Sequence, residues 1–283
     1  MMSQDMRKTP QLLQMTSQDW HKPQSVAAAP LPRAAEVQLW WMPINVGEAA
    51  LSACLSRLSP LEQASARRFK VAPARSAYIA SRLLLRHILS HALACAPDEI
   101  SYTCGAHGKP ALSAQLLQRR QQALAAAGVT QAGLVFNLSH SAAGVLCVLA
   151  TEGWLGVDLE QLTRSVDVLQ LAQRFFAPQE YAMLLSLKAS QRQLHFLRLW
   201  TLKEAFVKAI GLGLSYPLAD FSVAYDESLA AARLTQVKDP RWASASWKLM
   251  SCFMPGQEYL GAFAYAGPFK RQLKLHLDLS QLL

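Results

Sequence analysis

Leu134 to Glu160 reads LVFNLSHSAAGVLCVLATEGWLGVDLE. Its apolar residues fall into three segments, Leu134–Leu138, Gly144–Thr151 and Leu155–Glu160, separated by turn-forming residues. The pattern predicts three consecutive strands of one sheet. Upstream, Glu36–Ile44 (EVQLWWMPI) is rich in aromatic and β-branched residues and reads as an earlier strand. Pro60 after Ser59 opens a helix. A longer helix follows over Ala74–Ala94, with Tyr78, Leu85, Ile88 and Ala92 at helical spacing and Arg75, Arg82 and Arg86 on a stripe beside them. Ile100–Thr103 reads as a short strand and Ala114–Gly128 as a Gln-Ala-Leu helix. Downstream, Val168–Phe176 and Glu180–Leu187 are helical. Gln191–Ile210 is the clearest helix of all, stopped by Gly211 and Gly213. From Phe221 onward the pattern is again β. The order of strand, helices, strands, helices, strands defines an α+β fold rather than a doubly wound parallel sheet.

Residues 1–35 differ from the rest. They are rich in Gln, Pro, Ser and Ala, show no sustained apolar period and read as a flexible, disordered leader without the apolar stretch of a secretory signal. The 283-residue chain is 52% hydrophobic and 17% charged, which allows a large core. The longest apolar run, Ala142–Ala150, is about half of the ~18 residues a membrane helix needs, so no membrane span is expected. Five cysteines (Cys54, Cys95, Cys104, Cys147, Cys252) form no CxxC pair and are odd in number. This argues against a disulfide framework or a zinc site and for reduced thiols in the cytoplasm. Against 19 acidic residues stand 28 basic ones, a net charge of +9. Such a surface favours an anionic partner: a nucleic acid, an acidic protein or a phosphate-rich small molecule. A nucleic-acid reader would carry a basic stripe with interleaved aromatics, and none lies outside the arginines of 67–86, so no nucleic-acid partner is expected.

Four short motifs carry chemistry. In Gly156-Val157-Asp158-Leu159-Glu160 alternate side chains of a strand share a face. Val157 and Leu159 can enter the core while Asp158 and Glu160 stand together on the other side. Two carboxylates so close repel unless a hard divalent cation offsets them, or else they simply decorate a polar sheet face. In Trp200-Thr201-Leu202-Lys203-Glu204-Ala205-Phe206-Val207-Lys208 a carboxylate sits in an apolar helix, where it needs a partner. Glu204 can pair with Lys208 one turn on, or complete a metal site with Asp158 and Glu160. Phe136-Asn137-Leu138-Ser139-His140-Ser141 places a histidine between two serines at the end of a strand. Gly108-Lys109-Pro110 is a turn presenting a cation.

Taken in order, GKP, FNLSHS, GVDLE and WTLKEAFVKAIGLGL resemble the motifs of the phosphopantetheinyl transferases, in particular the two-domain type that activates surfactin synthetase. The resemblance runs from about Ser59 to Val223, and the DLE and KEA motifs are its most specific parts. It implies two similar α+β subdomains, here 36–150 and 151–283, packed as a pseudo-dimer within a monomer, with coenzyme A in the cleft between them. It implies Mg²⁺ held by Asp158, Glu160 and Glu204, with Glu204, Lys208 and Asp158 as the catalytic set. Lys203 and Lys208 would lie near the phosphates, Ser139 and His140 on the 3'-phosphate or pyrophosphate, Lys109 near the adenine, and Arg75 by the 3'-phosphate. The implied partner is an acyl or peptidyl carrier protein of fatty-acid, polyketide or nonribosomal-peptide synthesis, whose serine receives the phosphopantetheine arm. The chain departs from the pattern at Glu62 and Ser65, which stand where the surfactin-type enzyme has lysines, and in a long link over 111–133. A Mg²⁺-dependent phosphodiesterase is the competing reading, since three carboxylates can also activate water.

Overall fold

Residues 20–105, 107–126, 133–164, 166–226 and 231–282 are described by a computed structural model. The first half holds β1 (Trp20–His21), β2 (Glu36–Pro43), α1 (Glu48–Ala53), α2 (Pro60–Arg68) and α3 (Ala72–Ala92). It continues with β3 (Tyr102–Cys104), β4 (Pro110–Leu112), α4 (Ala114–Ala126), β5 (Val135–Ser141) and β6 (Gly144–Ala150). The second half begins with β7 (Trp154–Gln161), α5 (Val168–Phe175), α6 (Pro178–Ser186) and α7 (Ala189–Ile210). It ends with β8 (Phe221–Asp226), β9 (Ala231–Val237), α8 (Pro240–Ala243), β10 (Trp247–Phe253), β11 (Tyr259–Ala266) and β12 (Arg271–His276).

Two five-stranded sheets result, in the orders β1-β12-β2-β6-β5 and β7-β11-β10-β9-β8. Strand alternation assigns their faces. On β2, Trp40 and Met42 point into a core with Ile79, Leu83, Ile88 and Leu89 of α3. Leu39 and Trp41 point the other way, into a second core shared with Leu155, Val157 and Leu159 of β7 and Phe263 and Tyr265 of β11. The far face of the second sheet is covered by α7 through Leu199, Leu202, Phe206 and Val207. The layers therefore run helix, sheet, sheet, helix, an α+β pair of similar halves as expected.

The structure redraws three expectations. The segment Leu155–Glu160 is not the third strand of one sheet with β5 and β6; β7 opens the second sheet, pairing with β11. Residues 151–283 do not form one subdomain to their end, because β12 lies in the first sheet, parallel to both β2 and β1. The stretch 1–35 is not wholly a leader. Trp20–His21 pairs with Lys274–Leu275, and the Gln281 amide donates to the carbonyls of Pro23 and Gln24 at 3.2 and 2.6 Å. Residues 1–19 lie outside the described residues.

Helix α7 packs closely on β7 at Gly156. A Cβ on Gly156 would stand 2.1 Å from the Ala205 carbonyl oxygen and 2.3 Å from the Ala209 nitrogen. Both are helix backbone and cannot rotate aside. Gly156→Ala must push α7 off the sheet, and overpacking of this kind costs about 1–3 kcal/mol or more. Urea unfolding should show a lowered midpoint; a wild-type midpoint would contradict the contact.

Candidate active site

The two sheets meet along the edge strands β5 and β7, and the side chains of the FNLSHS motif stitch them together. Asn137, Ser139 and Ser141 alternate along β5 and so share one side. Asn137 Oδ1 accepts from the Val157 backbone N–H at 2.9 Å. Ser139 Oγ donates to Asp158 Oδ1 at 2.9 Å. Ser141 Oγ accepts from the Gln161 N–H and donates to Glu160 Oε2, both at 3.3 Å. The polar residues of one strand thus satisfy edge N–H groups of the other that lack a ladder partner and fix both acids of the GVDLE motif.

Helix α7 supplies the opposite wall. Successive residues on a helix are turned by about 100°, so Lys203 and Glu204 face different ways. Glu204 and Lys208, one turn apart, look onto β7. Lys208 Nζ donates to Asp158 Oδ1 at 2.6 Å and to Ser139 Oγ at 2.9 Å. Of the two readings of Glu204, the intrahelical pair is not formed: Lys208 is taken by Asp158. Glu160 is paired with Arg164, four residues on. The resulting cleft, about 480 Å³, brings together Lys109, Asp158, Glu160, Trp200, Glu204 and Lys208.

Its electrostatics are uneven. Burial, with Asp158 and Glu160 adding repulsion against the pull of Lys208, pushes the Glu204 carboxyl up to about 7. Burial and the neighbouring Asp158 also raise Glu160, opposed by Arg164 and Ser141. Asp158 Oδ2 and Glu204 Oε1 are buried with no hydrogen-bond partner. A buried carboxylate oxygen without a donor is costly, and hard oxygen donors of this kind fit a Mg²⁺ ion. Among the described residues, no three acidic, histidine or cysteine side chains already converge into a closed ligand set. The fit is therefore of donor type and of unsatisfied valence, carried by Asp158 and Glu204 with Glu160 beside them.

The remaining expected site residues divide. Lys109 lines the cleft, but its ammonium is spent on the protein: Nζ donates to the carbonyls of Leu155 and Ala209 at 2.9 and 2.8 Å. It caps the end of α7 and ties the GKP turn to the second half, with burial lowering its pKa to about 8. Ser139 is engaged with Asp158 and Lys208 as described. His140 points to the other side of β5, exposed. The bulk of the protein behind it, then Lys208 and Arg82, hold its imidazole below the ordinary range against the pull of Asp158. Arg75 lies in the first turn of α3, paired with Glu48, and is not among the residues that line the cleft.

Lys203 is placed otherwise than expected: it is fully buried, with Nζ donating to both oxygens of Glu180 (2.9 and 2.7 Å) and to the Phe221 carbonyl (2.6 Å). Glu180 also accepts from the N–H groups of Ala177 and Val223. The pair joins α6, α7 and β8, and an apolar helix face could not show from sequence which neighbour would meet the charge. Glu62 is likewise structural. It closes the capping box of α2 with Ser59 and pairs with buried Arg86 at 2.7 Å, which accounts for an acid where a lysine was expected. Asn137, Ser141, Arg164 and Glu180 were missed; the alternation of polar residues along β5 was the available signal for the first two.

Fold and cleft together define a two-subdomain protein whose carboxylates and lysine converge at the junction of its halves. The 4'-phosphopantetheinyl transferase superfamily matches residues 155–264, and the family described as 4'-phosphopantetheinyl transferase, N-terminal, matches residues 40–153. The boundary between the two falls just before β7. The chain is 34% identical over 233 residues to 4'-phosphopantetheinyl transferase HetI of Nostoc sp., spanning 82% of this chain and 88% of the relative. It is 29% identical over 169 residues to 4'-phosphopantetheinyl transferase Sfp of Bacillus subtilis, spanning 60% and 67%. To 4'-phosphopantetheinyl transferase AcpT of Escherichia coli it is 31% identical over 160 residues, spanning 56% and 70%. The chain belongs to the 4'-phosphopantetheinyl transferase superfamily.

Removing one member of a buried ion pair strands the other, at a cost of roughly 3–5 kcal/mol. Lys203→Met should therefore destabilise the protein strongly in denaturant titrations. Adding Glu180→Gln, which removes the stranded charge and keeps an oxygen for one of the Val223 and Ala177 N–H groups, should recover part of that loss. Full stability of the single variant would return Lys203 to the list of solvent-facing phosphate ligands.

Proposed function

We propose that this cleft transfers the 4'-phosphopantetheine arm of coenzyme A to a serine of an acyl or peptidyl carrier protein, with Mg²⁺ held by Asp158, Glu160 and Glu204. The observation that carries the reading is the partnerless buried oxygen on each of Asp158 and Glu204, beside Lys208 in one cleft. Bound there, the ion would neutralise charge on the pyrophosphate and on the departing 3',5'-ADP.

The protein's own groups do the rest. The serine hydroxyl forms an O–P bond to the phosphorus bearing pantetheine as the P–O bond to 3',5'-ADP breaks. Glu204, poised near neutrality by its surroundings, accepts the serine proton directly or through a water. Lys208 stabilises charge spread over the phosphoryl oxygens. Ser139 and Asn137 hold β7, and hence Asp158, in place. Arg82 offers a cation, and His140 near it a neutral ring N–H, to a further phosphate at the α3 side. Lys109 positions the GKP turn, whose backbone then faces the ligand, rather than contacting it by charge. Among the described residues no helix is long and apolar enough to cross a membrane. The reading is of a cytoplasmic monomer that meets an acidic carrier through its positive charge, without nucleic acid. Hydrolysis is the less favoured alternative, since the families that match both halves are transferases.

The test is the intact mass of an apo carrier protein mixed with coenzyme A, Mg²⁺ and this protein. The carrier should gain one phosphopantetheine, and chelation by EDTA should stop the reaction. Glu204→Gln should slow it by at least about 100-fold, the lower range for general acid–base groups. No gain with several unrelated carriers would overturn the assignment. Release of 3',5'-ADP without a gain in mass would favour hydrolysis.

A further inference from the structure

Two of the three cleft carboxylates already carry a side-chain cation. Lys208 Nζ, Ser139 Oγ and Asp158 Oδ1 form a closed triangle with sides of 2.9, 2.9 and 2.6 Å, and Arg164 pairs with Glu160. One ammonium and one guanidinium supply two positive charges, the same as one divalent ion. Their placement differs from what an ion would give, because neither reaches Glu204, whose Oε1 is buried without a partner, as is Asp158 Oδ2. Both acids are more than nine-tenths buried, at 8% and 6% exposure. Both cations, by contrast, can move: Lys208 is 28% and Arg164 43% exposed at the side chain, and each sits on a long flexible stem.

We propose that Lys208 and Arg164 are internal counter-ions which a divalent cation displaces from Asp158 and Glu160, and that the released Lys208 then meets a phosphate of coenzyme A. This rests on the reading of the cleft given above. An ion on the free oxygen of Asp158 faces a like charge on the other oxygen of the same carboxylate, so Lys208 opposes metal binding in the free protein. A phosphate that accepts from Lys208 relieves that repulsion. Metal and coenzyme A therefore each raise the other's affinity, and by thermodynamic linkage the factor is the same in both directions. Arg164 opposes the metal at Glu160 in the same way, but it lies beyond the cleft-lining residues and has no comparable part in receiving the ligand.

The experiment titrates the full chain with Mn²⁺, reading free ion by electron paramagnetic resonance, with and without coenzyme A and with no carrier present. Without coenzyme A, Lys208→Gln should bind Mn²⁺ about 10-fold more tightly than wild type, a change at the lower end of typical coupling factors. The tightening of Mn²⁺ binding by coenzyme A should shrink in this variant by the same factor. Arg164→Gln, at a position whose side chain is 43% exposed, should also bind Mn²⁺ more tightly alone while keeping the wild-type response to coenzyme A. A Lys208→Gln protein that binds Mn²⁺ no more tightly than wild type, or an Arg164→Gln protein with unchanged affinity, overturns the exchange. If Lys208→Gln fails to fold, Arg164→Gln decides. Wild type that binds neither Mn²⁺ nor coenzyme A would instead overturn the function proposed for the cleft, a result distinct from binding both without coupling.

Discussion

The join between β5 and β7 is the constraint on which the rest of the molecule depends. Each strand is an edge of its own sheet, and an edge presents N–H groups that must find acceptors or invite another chain. Here Asn137 and Ser141 supply acceptors from their side chains, so the two halves meet without becoming one continuous sheet. The same spacing aims Ser139 at Asp158. Because the stitches are side chains rather than a backbone ladder, the junction leaves a gap at its mouth, and the gap is the cleft. Structure and site are one arrangement: the residues that hold the subdomains together are those that hold the acids.

On the other wall, α7 reaches β7 only because Gly156 has no side chain to stand in its way. That contact brings Glu204 into a low-dielectric space beside two other carboxylates, where its ionised form is disfavoured. The cost is carried by the rigid packing around it. Lys203 turns the other way into Glu180 and Phe221, with the Phe221 ring 4.2 Å from its ammonium, and so anchors the helix next to the buried carboxylate of Glu204. Two adjacent charges in one motif therefore do opposite jobs, one fixed in the core and one facing solvent-sized space.

How much of this was legible in the sequence follows from the range of each interaction. The strand alternation of Val157 and Leu159 against Asp158 and Glu160, and the one-turn spacing of Trp200, Glu204 and Lys208, are local and were read correctly. The α+β class followed from the element order. What was not legible is what depends on partners distant in the chain. Lys203 finds Glu180 on another helix, Lys109 finds carbonyls 46 and 100 residues away, and β7 finds β11 rather than β6. The apolar segments of Leu134–Glu160 carried no mark of a change of sheet, because a strand buried on one face looks the same whichever neighbour it pairs with. The polar rhythm of Asn137, Ser139 and Ser141 is visible in the sequence, but not the strand it faces, since β7 meets it only through the fold.

The placement of β12 sets an order of events during synthesis. It lies between β1 and β2, pairing Arg271–His276 with Glu36–Trp41 along its whole length, while Leu275, Leu277, Leu279 and Leu282 fill the core beneath α3. The ribosome makes β2 first and its neighbour more than two hundred residues later. Until then the first half has a sheet with a missing interior strand, between β1 and β2, and an open apolar floor. The nascent chain must wait with that floor uncovered, or shielded by a chaperone, and it is the arrival of β12 that completes the first half, after the second has already been translated.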